Sequence, residues 1–350
     1  MLAVPALENE MLNWGRLLLD GIPFSDLLEA QRRDVSVSWF DFWMAKAARY
    51  EEYGEQALAE GHDRTAGLWL WLGSLCCQYA QFRWFDEKRW VGQRRKVELY
   101  RLAAPYLDPP AQRVELQLDD IRIPGYLRLP KRGSGPFGCA VLLGGLDSTK
   151  EESFLFENLL LERDLATFTF DGPGQGELLE QAPLDGGFSR YTSAVLDYLL
   201  THPEVDDRRL GVLGRSVGGH FAMQSACHDP RISACVSWGG LVVMDSFDHE
   251  TPVDRQLWQH ATRAPTEEAA QEIVRTGLDI RGALPRLRCP TYVLHGARDE
   301  IPLSQVALVR ELAAHAPLTI VVEPAGDHCC HNLGPAPRIR MADWLADRLA

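Results

Sequence analysis

The sequence lacks the features of several large protein classes. No apolar run approaches the roughly 20 residues that a membrane-spanning helix needs. Acidic residues outnumber basic ones, 49 to 36, and the net charge of −13 does not favour binding to nucleic acid or to an anionic membrane. The first residues contain no basic stretch and include Glu8 and Glu10, so we expect no signal peptide. These absences favour a cytoplasmic protein.

Patterns for metals and nucleotides are also missing. The eight cysteines form no C-x-x-C motif, so we expect reduced, mostly buried thiols and no metal site. A glycine cluster, D-G-P-G-Q-G-E at 171–177, lacks the G-K-[ST] ending of a phosphate loop. We interpret it as a demanding turn near the rim of the active site. No cofactor is expected.

Residues 1–110 have the periodicity of amphipathic helices. We predict that they form an N-terminal helical cap or dimerisation domain, which could make the protein a homodimer. Seven of the ten tryptophans lie here, either in a helical core or along an aromatic-walled pocket or subunit interface. They are Trp14, Trp39, Trp43, Trp69, Trp71, Trp84 and Trp90.

From residue 111 to residue 350, short apolar runs alternate with helical patterns. This alternation predicts an α/β fold with a doubly wound, mostly parallel sheet. One stretch, 241–287, is too long for a simple crossover between two strands. We predict a lid insertion there, since long insertions of this kind are usually functional.

The most informative motif is G-R-S-V-G-G at 214–219. It follows an apolar run that predicts a buried strand and precedes a helical pattern. A G-x-S-x-G motif in this context is a nucleophile elbow, which predicts an α/β-hydrolase fold with Ser216 as the nucleophile.

Partners for this serine follow in the chain order of α/β-hydrolases, which is Ser, acid, His. Asp299 follows the predicted strand at 291–295, and His328 follows the predicted strand at 318–322. We predict that Asp299 orients His328 and that His328 is the base. The competing histidines are His331, His295 and His220, for which structural roles are expected.

Acyl transfer also needs backbone N–H groups that stabilise the developing oxyanion. Val217 follows the nucleophile directly and should supply one of them. The loop after the predicted strand at 139–143 should supply the other. Leu146 is the first choice there and Gly145 the second.

Five motifs together resemble the 2,6-dihydroxypseudooxynicotine hydrolase group of α/β-hydrolases. They are GGLDSTKEES at 144–153, FDGPGQGE at 170–177, GVLGRSVGG at 211–219, HGARDE at 295–300 and GDHCCHN at 326–332. This group also contains fungal polyketide-shortening hydrolases of pigment synthesis and, more distantly, the fermentation/respiration switch proteins. Its members carry a helical N-terminal domain that closes over the site.

The resemblance implies hydrolysis of a carbon–carbon bond between a ketone carbonyl and a carbon that leaves as a stabilised carbanion. It implies a small ketonic substrate such as an aryl ketone, a β-diketone or a polyketide. It also implies that an acidic residue near the lid takes part, and Asp245, Asp248 and Glu250 all lie in that stretch.

Two other functions fit the same residues. An ordinary esterase, thioesterase or peptidase would use the same three side chains, although the absence of a propeller domain counts against peptide substrates. A regulatory binding protein is the second alternative. The complete set of Ser216, Asp299 and His328 argues against it, because a binding module does not need all three.

Overall fold

The computed structural model describes residues 14–349, apart from Arg83 and His249. Residues 1–13 of the predicted helical domain therefore lie outside the described residues. Within the described part, no helix is both long and apolar enough to cross a bilayer.

The chain divides into two compact units after Arg113. The first unit also takes in a later segment, Glu151–Leu155. The second unit contains Val114–Lys150 and the residues from Phe156 onward.

The described part of the first unit is helical. Hydrogen bonds that the sequence provides locally define where two of its helices begin: Ser38 accepts from the Asp41 N–H at 3.1 Å, and Asp86 accepts from the Lys88 N–H at 2.9 Å. Each satisfies a backbone donor that has no partner within its helix. The helices are α1 (Trp14–Asp20), α2 (Phe24–Arg32), α3 (Trp39–Ala59), α4 (Asp63–Gln81) and α5 (Glu87–Ala103), followed by a 3₁₀ turn at Ala104–Tyr106.

Several of the tryptophans pack into the interior of this unit. Trp39, Trp43 and Trp71 are buried, and the Trp39 indole N–H donates to the Tyr79 carbonyl at 2.8 Å. Core packing thus accounts for these three side chains. The other four are partly buried, and for them a pocket or an interface stays a prediction: Trp14, Trp69, Trp84 and Trp90.

The segment Glu151–Leu155 joins the helices through buried charge pairs. Arg16 Nη2 lies 3.2 Å from Glu152 Oε2, and Lys96 Nζ lies 3.5 Å from Glu151 Oε2. All four side chains are nearly inaccessible, and buried carboxylates need cationic partners. No sequence pattern indicated this arrangement, because each pair joins residues that are far apart in the chain.

The second unit is built on an eight-stranded sheet with the order β1-β2-β4-β3-β5-β6-β7-β8. Neighbouring strands from β4 through β8 run parallel, and β2 pairs antiparallel with β4. The predicted α/β-hydrolase fold is confirmed. The strands are β1 (Gln112–Leu118), β2 (Ile121–Arg128), β3 (Phe137–Leu143), β4 (Ala166–Phe170), β5 (Val205–Arg215), β6 (Ile232–Trp238), β7 (Thr291–Gly296) and β8 (Leu318–Glu323).

Helices cover both faces of this sheet. Along β3, Cys139, Val141 and Leu143 pack into one hydrophobic core, and Ala140 and Leu142 pack into another. Successive side chains of a strand point to opposite faces, so a strand buried on both faces reads as a continuous apolar run. The remaining helices are α6 (Phe154–Leu161), α7 (Phe188–Leu199), α8 (Val217–His228), α9 (Pro252–Thr262), α10 (Glu267–Gly277), α11 (Ser304–Leu312) and α12 (Ala336–Leu349), with 3₁₀ turns at Lys150–Ser153, Gly176–Glu180, Leu284–Arg286 and His328–Leu333.

The insertion between β6 and β7 carries α9 and α10. Thr251 and Thr266 cap these two helices by accepting hydrogen bonds from backbone N–H groups. An isolated bridge pairs Val243 with Asp279 and so joins the two ends of the insertion. The Gln305 side chain of α11 forms two hydrogen bonds with the backbone of Val243. These bonds connect the start of the insertion to the core of the unit. The role of the insertion as a lid stays a prediction.

Candidate active site

The turn between β5 and α8 holds Ser216 in a strained conformation. Its φ of +58° and ψ of −129° fall in a region that residues with a Cβ rarely adopt. The flanking glycines make the turn feasible, because a Cβ on Gly214 would lie 1.8 Å from the Gly218 carbonyl oxygen. A Cβ on Gly218 would in turn lie 2.3 Å from the Leu143 carbonyl oxygen. The G-x-S-x-G pattern is therefore a steric requirement of this turn.

A continuous chain of hydrogen bonds links three side chains. Ser216 Oγ lies 2.8 Å from His328 Nε2. His328 Nδ1 lies 2.9 and 3.0 Å from the two carboxylate oxygens of Asp299. The Asp299 carboxylate is fully buried and also accepts from the Ile301 N–H at 2.9 Å. The structure thus brings together the three residues that the sequence pointed to, in the geometry of an activated serine.

Two loops at the carboxyl edge of the sheet carry the acid and the histidine. They pack closely, since a Cβ on Gly296 would lie 2.2 Å from the Asp327 carbonyl oxygen. The Arg298 N–H also donates across to the Gly326 carbonyl at 2.9 Å. Asp327 exchanges hydrogen bonds with Asn332 and so shapes its own loop.

Burial and hydrogen bonding act in opposite directions on this pair. Burial tends to raise the pKa of the Asp299 carboxyl, but the hydrogen bond to His328, the charge of His328 and the hydrogen bond from the Ile301 N–H together outweigh it, and the pKa is lowered. Burial tends to lower the pKa of His328, but the neighbouring Cys329 and the Asp299 carboxylate raise it well above its usual value. An ionised Asp299 therefore favours the imidazolium form that a base reaches after it takes a proton.

The competing histidines have other partners. His295 Nε2 lies 2.8 Å from the Ile301 carbonyl oxygen, and His220 Nδ1 lies 3.1 Å from that of Leu241. Burial lowers the pKa of His220 to about 4, so it stays neutral. His331 is buried and packs edge-on against Trp238. These contacts give all three a structural explanation.

Of the three acidic candidates near the lid, Glu250 differs from the others. It is partly buried and accepts a hydrogen bond from the Trp258 indole N–H at 3.0 Å. Burial raises the pKa of its carboxyl, whereas the nearby charge of His328 tends to lower it. Asp248 and Asp245 are both exposed; Asp248 accepts from the Ser246 hydroxyl, and Asp245 lies 3.7 Å from an arginine.

The predicted oxyanion donors lie on two backbone segments beside Ser216. Val217 is the first residue of α8, where N–H groups have no carbonyl partner within the helix. Gly145 packs against the elbow, and a Cβ there would lie 3.2 Å from Ser216 Cβ. Leu146 follows it directly.

One group of ligand-type atoms coincides with this site. Side-chain atoms of Asp299, Glu300 and His328 lie within 4.8 Å of one another. Both ring nitrogens of His328 already have hydrogen-bond partners, Asp299 and Ser216. The arrangement is thus organised for proton transfer, a chemistry that requires no metal.

A family model described as Esterase FrsA-like matches residues 37–348, which is most of the chain. The chain belongs to the FrsA-like esterase family. The chain is similar to two fungal proteins. "20-hydroxy-prefusarin hydrolase FUS2" from Gibberella moniliformis is 32% identical over 58% of this chain and 52% of its own length, and "Hydrolase acrC" from Aspergillus aculeatus is 31% identical over 80% of this chain and 79% of its own length.

A bacterial relative matches much more of this FrsA-like protein. The "2,6-dihydropseudooxynicotine hydrolase" of Paenarthrobacter nicotinovorans is 52% identical over 98% of this chain and 93% of the relative. A crystal structure of 2,6-dihydroxy-pseudo-oxynicotine hydrolase superposes with a TM-score of 0.94 at 51% identity and covers 97% of this chain and 96% of that one. This FrsA-like protein is a hydrolase, and the resemblance drawn from its motifs is confirmed.

Sequence reasoning missed the contacts of one residue near the candidate site of this FrsA-like protein. Gln175, in the glycine cluster that we interpreted only as a turn, directs its side-chain amide to the loop that carries Gly145 and Leu146. A signal was present, because the cluster follows β4 and β4 neighbours β3, so the two loops leave the same edge of the sheet. The sequence did not show which way the side chain turns.

Proposed function

We propose that this FrsA-like hydrolase cleaves a carbon–carbon bond beside a ketone, with Ser216 as nucleophile, His328 as base and Asp299 as the residue that orients His328. The observation that carries the proposal is the hydrogen-bonded chain from Ser216 through His328 to the buried Asp299. The relative that is 52% identical, a 2,6-dihydropseudooxynicotine hydrolase by name, supports an aryl ketone as the substrate class.

In the first step, Ser216 Oγ bonds to the ketone carbon while His328 Nε2 takes the hydroxyl proton. The π pair of the carbonyl moves to oxygen, and the N–H groups of Val217 and Leu146 stabilise this oxyanion, with that of Gly145 as the alternative to Leu146. Asp299 stabilises the imidazolium that forms.

In the second step the oxyanion collapses and the carbon–carbon bond breaks. Its electron pair goes to the leaving carbon, which must be an electron-rich aryl ring or an enolate because it takes up negative charge. That carbon needs a proton, and we assign Glu250 as its donor, with Asp248 and Asp245 as the less suitable acids. The raised pKa of Glu250 supports this role, since the carboxyl keeps its proton to higher pH.

In the last step, water replaces the leaving group. Before water attacks, the proton that His328 took from Ser216 passes to the Glu250 carboxylate, which restores the neutral base and the protonated acid. His328 then removes a proton from the water as it attacks the acyl-serine, and Ser216 departs with that proton as the carboxylic acid forms. No cofactor or metal enters any of these steps.

Product analysis tests the proposal. Purified protein would be incubated with 2,6-dihydroxypseudooxynicotine, acyl-phenols, β-diketones and p-nitrophenyl esters, and both fragments would be quantified by chromatography. We expect cleavage of a ketone at the acyl–carbon bond. Fast ester hydrolysis without any ketone cleavage would instead establish the esterase alternative, which the family's description favours.

The remaining expectations from the sequence stay predictions. They are a capping or dimerising role for the helical domain, a lid role for residues 241–287, a cytoplasmic location and a homodimer. A regulatory binding role without catalysis is the weakest alternative, because the three residues form a connected hydrogen-bonded chain.

A further inference from the structure

The side chain of Gln175 makes contacts that a surface turn does not need. It is buried, at 4% exposure, directly after β4. Its Nε2 donates to the carbonyl oxygens of Gly144 and Gly145, each at 2.8 Å. Its Oε1 accepts from the Gly172 N–H at 3.0 Å. One amide group therefore joins two loops of the sheet edge.

The two carbonyls that Gln175 binds determine where two N–H groups point. In a trans peptide, the C=O and the N–H of one unit point in opposite directions. The unit containing the Gly144 carbonyl carries the N–H of Gly145, and the unit containing the Gly145 carbonyl carries that of Leu146. By holding both carbonyls, Gln175 turns both candidate oxyanion donors away from itself.

The turn that carries Gln175 is held by a cluster of charged groups, formed by two of its own residues and Lys150. Asp171 accepts from the Lys150 backbone N–H at 2.9 Å and from Lys150 Nζ at 2.7 Å. It also accepts from the Glu177 N–H at 3.0 Å, and Lys150 Nζ lies 2.6 Å from the Glu177 carboxylate. Charge-assisted bonds of this kind are short and directional, so they limit motion of the turn.

The turn follows a tight path that glycine alone fits without strain. Gly174 and Gly176 have φ values of +78° and +44°. A Cβ on Gly176 would lie 2.1 Å from the nearer Asp171 carboxylate oxygen. The glycine-rich pattern is thus explained by the cluster that it encloses.

From these contacts we infer that Gln175 is a positioning residue of the hydrolytic site, which orients the peptide units carrying the Gly145 and Leu146 N–H groups toward the developing oxyanion. The inference rests on the proposed function, because it assumes that one of these N–H groups stabilises the oxyanion. Preorganised donors do more for a transition state than for a ground state, so loss of the orientation should lower kcat more than it raises KM.

The decisive variant is Gln175→Glu. It keeps the oxygen that accepts from Gly172 and replaces the donating nitrogen by an oxygen that cannot donate when ionised. We expect kcat to fall about 10- to 100-fold with KM within about 2-fold of wild type. The assay uses 2,6-dihydroxypseudooxynicotine or p-nitrophenyl acetate, whichever the wild type turns over. Gln175→Met also removes the donating nitrogen and adds no charge. It replaces the glutamate variant in these measurements if that variant does not fold.

A second readout separates orientation from general damage. 2,2,2-Trifluoroacetophenone forms a hemiketal when a serine oxygen bonds to its carbonyl carbon, the π pair moves to oxygen and the histidine takes the proton. Its dissociation constant, measured by ¹⁹F NMR, should rise about 10-fold or more in the Gln175 variants. The acidic limb of the pH profile should not move in Gln175→Met, because the side chain at position 175 does not touch His328 and this substitution adds no charge.

The matched control is Gln181→Glu, on an exposed glutamine shortly after the same turn. Its side-chain oxygen accepts from the Arg122 N–H, and we expect wild-type kinetics. Unchanged kcat and unchanged ketone binding in folded Gln175 variants would overturn this inference but leave the proposed function intact. If wild-type protein formed no adduct, or if the adduct did not need Ser216, the proposed function itself would fail.

Discussion

Two glycine-rich loops leave the same edge of the sheet and present their polar side chains in opposite ways. After β5, the elbow directs Ser216 to His328 at 2.8 Å. After β4, the second loop directs Gln175 into its neighbour, where it binds only backbone groups among its hydrogen-bond partners in the described residues.

The two loops also differ in which residues have a positive φ. In the elbow, the positive φ falls on the proposed nucleophile itself, Ser216. In the second loop it falls on Gly174 and Gly176, which bear no steric penalty. In these two loops, glycine therefore relieves the strain of the supporting turn, whereas the elbow places the strain on the residue that we propose as the nucleophile.

Removal of the nucleophile should have the largest effect. Ser216→Ala should lower kcat by roughly 10⁴- to 10⁶-fold, because no other group can form the acyl-enzyme. Steady-state kinetics measures the loss, and ¹⁹F NMR should find no hemiketal with 2,2,2-trifluoroacetophenone. The control is the exposed Ser134, whose alanine variant should keep wild-type activity. Activity that survives in the Ser216 variant would remove the basis of the mechanism.

Loss of the orienting carboxylate should come next. Asp299→Asn should lower kcat about 10⁴-fold, because an amide favours the wrong tautomer of His328. The base acts when neutral, so the raised pKa of His328 places the acidic limb of the pH profile above the usual histidine value of about 6.5. Without the carboxylate this pKa should fall, and the limb should move to lower pH.

The neighbouring Glu300 provides the control for that shift. It lies 3.7 Å from His328 Nδ1 but is two-thirds exposed, so solvent screens its charge. Glu300→Gln should keep kcat within about 3-fold of wild type and move the limb only slightly. An acidic limb that stayed in place in Asp299→Asn would contradict the assigned role of Asp299.

A selective effect is expected at Glu250. Glu250→Gln should lower ketone cleavage about 10²-fold or more, because the carbon leaving group loses its proton donor. Hydrolysis of p-nitrophenyl esters should stay within about 3-fold, since p-nitrophenolate leaves without a proton. The exposed Asp245 provides the control, and Asp245→Asn should change neither rate. Equal losses in both reactions would show that Glu250 acts on folding or access instead.

The smallest effect should come from the supporting loop. Gly176→Ala places a methyl group against Asp171 at a positive φ and should lower the free energy of unfolding by about 1–3 kcal/mol. Gly282→Ala, where a Cβ meets no atom within 4 Å, should change it by less than about 0.5 kcal/mol. Urea denaturation measures both. Equal free energies of unfolding for the two variants would show that the turn can accommodate a side chain at position 176. Glycine would then not be required in the second loop.

Much of this site could be predicted because its signals are local. Strand, tight turn and helix in sequence predict the elbow, and a polar residue after each later strand predicts where an acid and a histidine lie. Parallel strands bring their carboxyl ends to one edge, so residues such as Asp299 and His328 could be expected to meet although they are far apart in the chain.

Other contacts could not be predicted, since they depend on how distant side chains pack. Three acids in the insertion between β6 and β7 were equivalent in sequence, and only the packing of Trp258 against Glu250 distinguished one of them. The assignment of Glu151–Leu155 to the helical unit likewise depends on buried pairs with Arg16 and Lys96.

The amino-acid sequence by itself therefore determines the α/β-hydrolase fold, the strained serine turn and the chain order of its partners, because each follows from periodicity and local sterics. The tertiary structure alone decides which carboxyl is buried and where the Gln175 amide points. Burial and side-chain direction depend on neighbours from other strands, and a pattern along one chain segment contains no information about them.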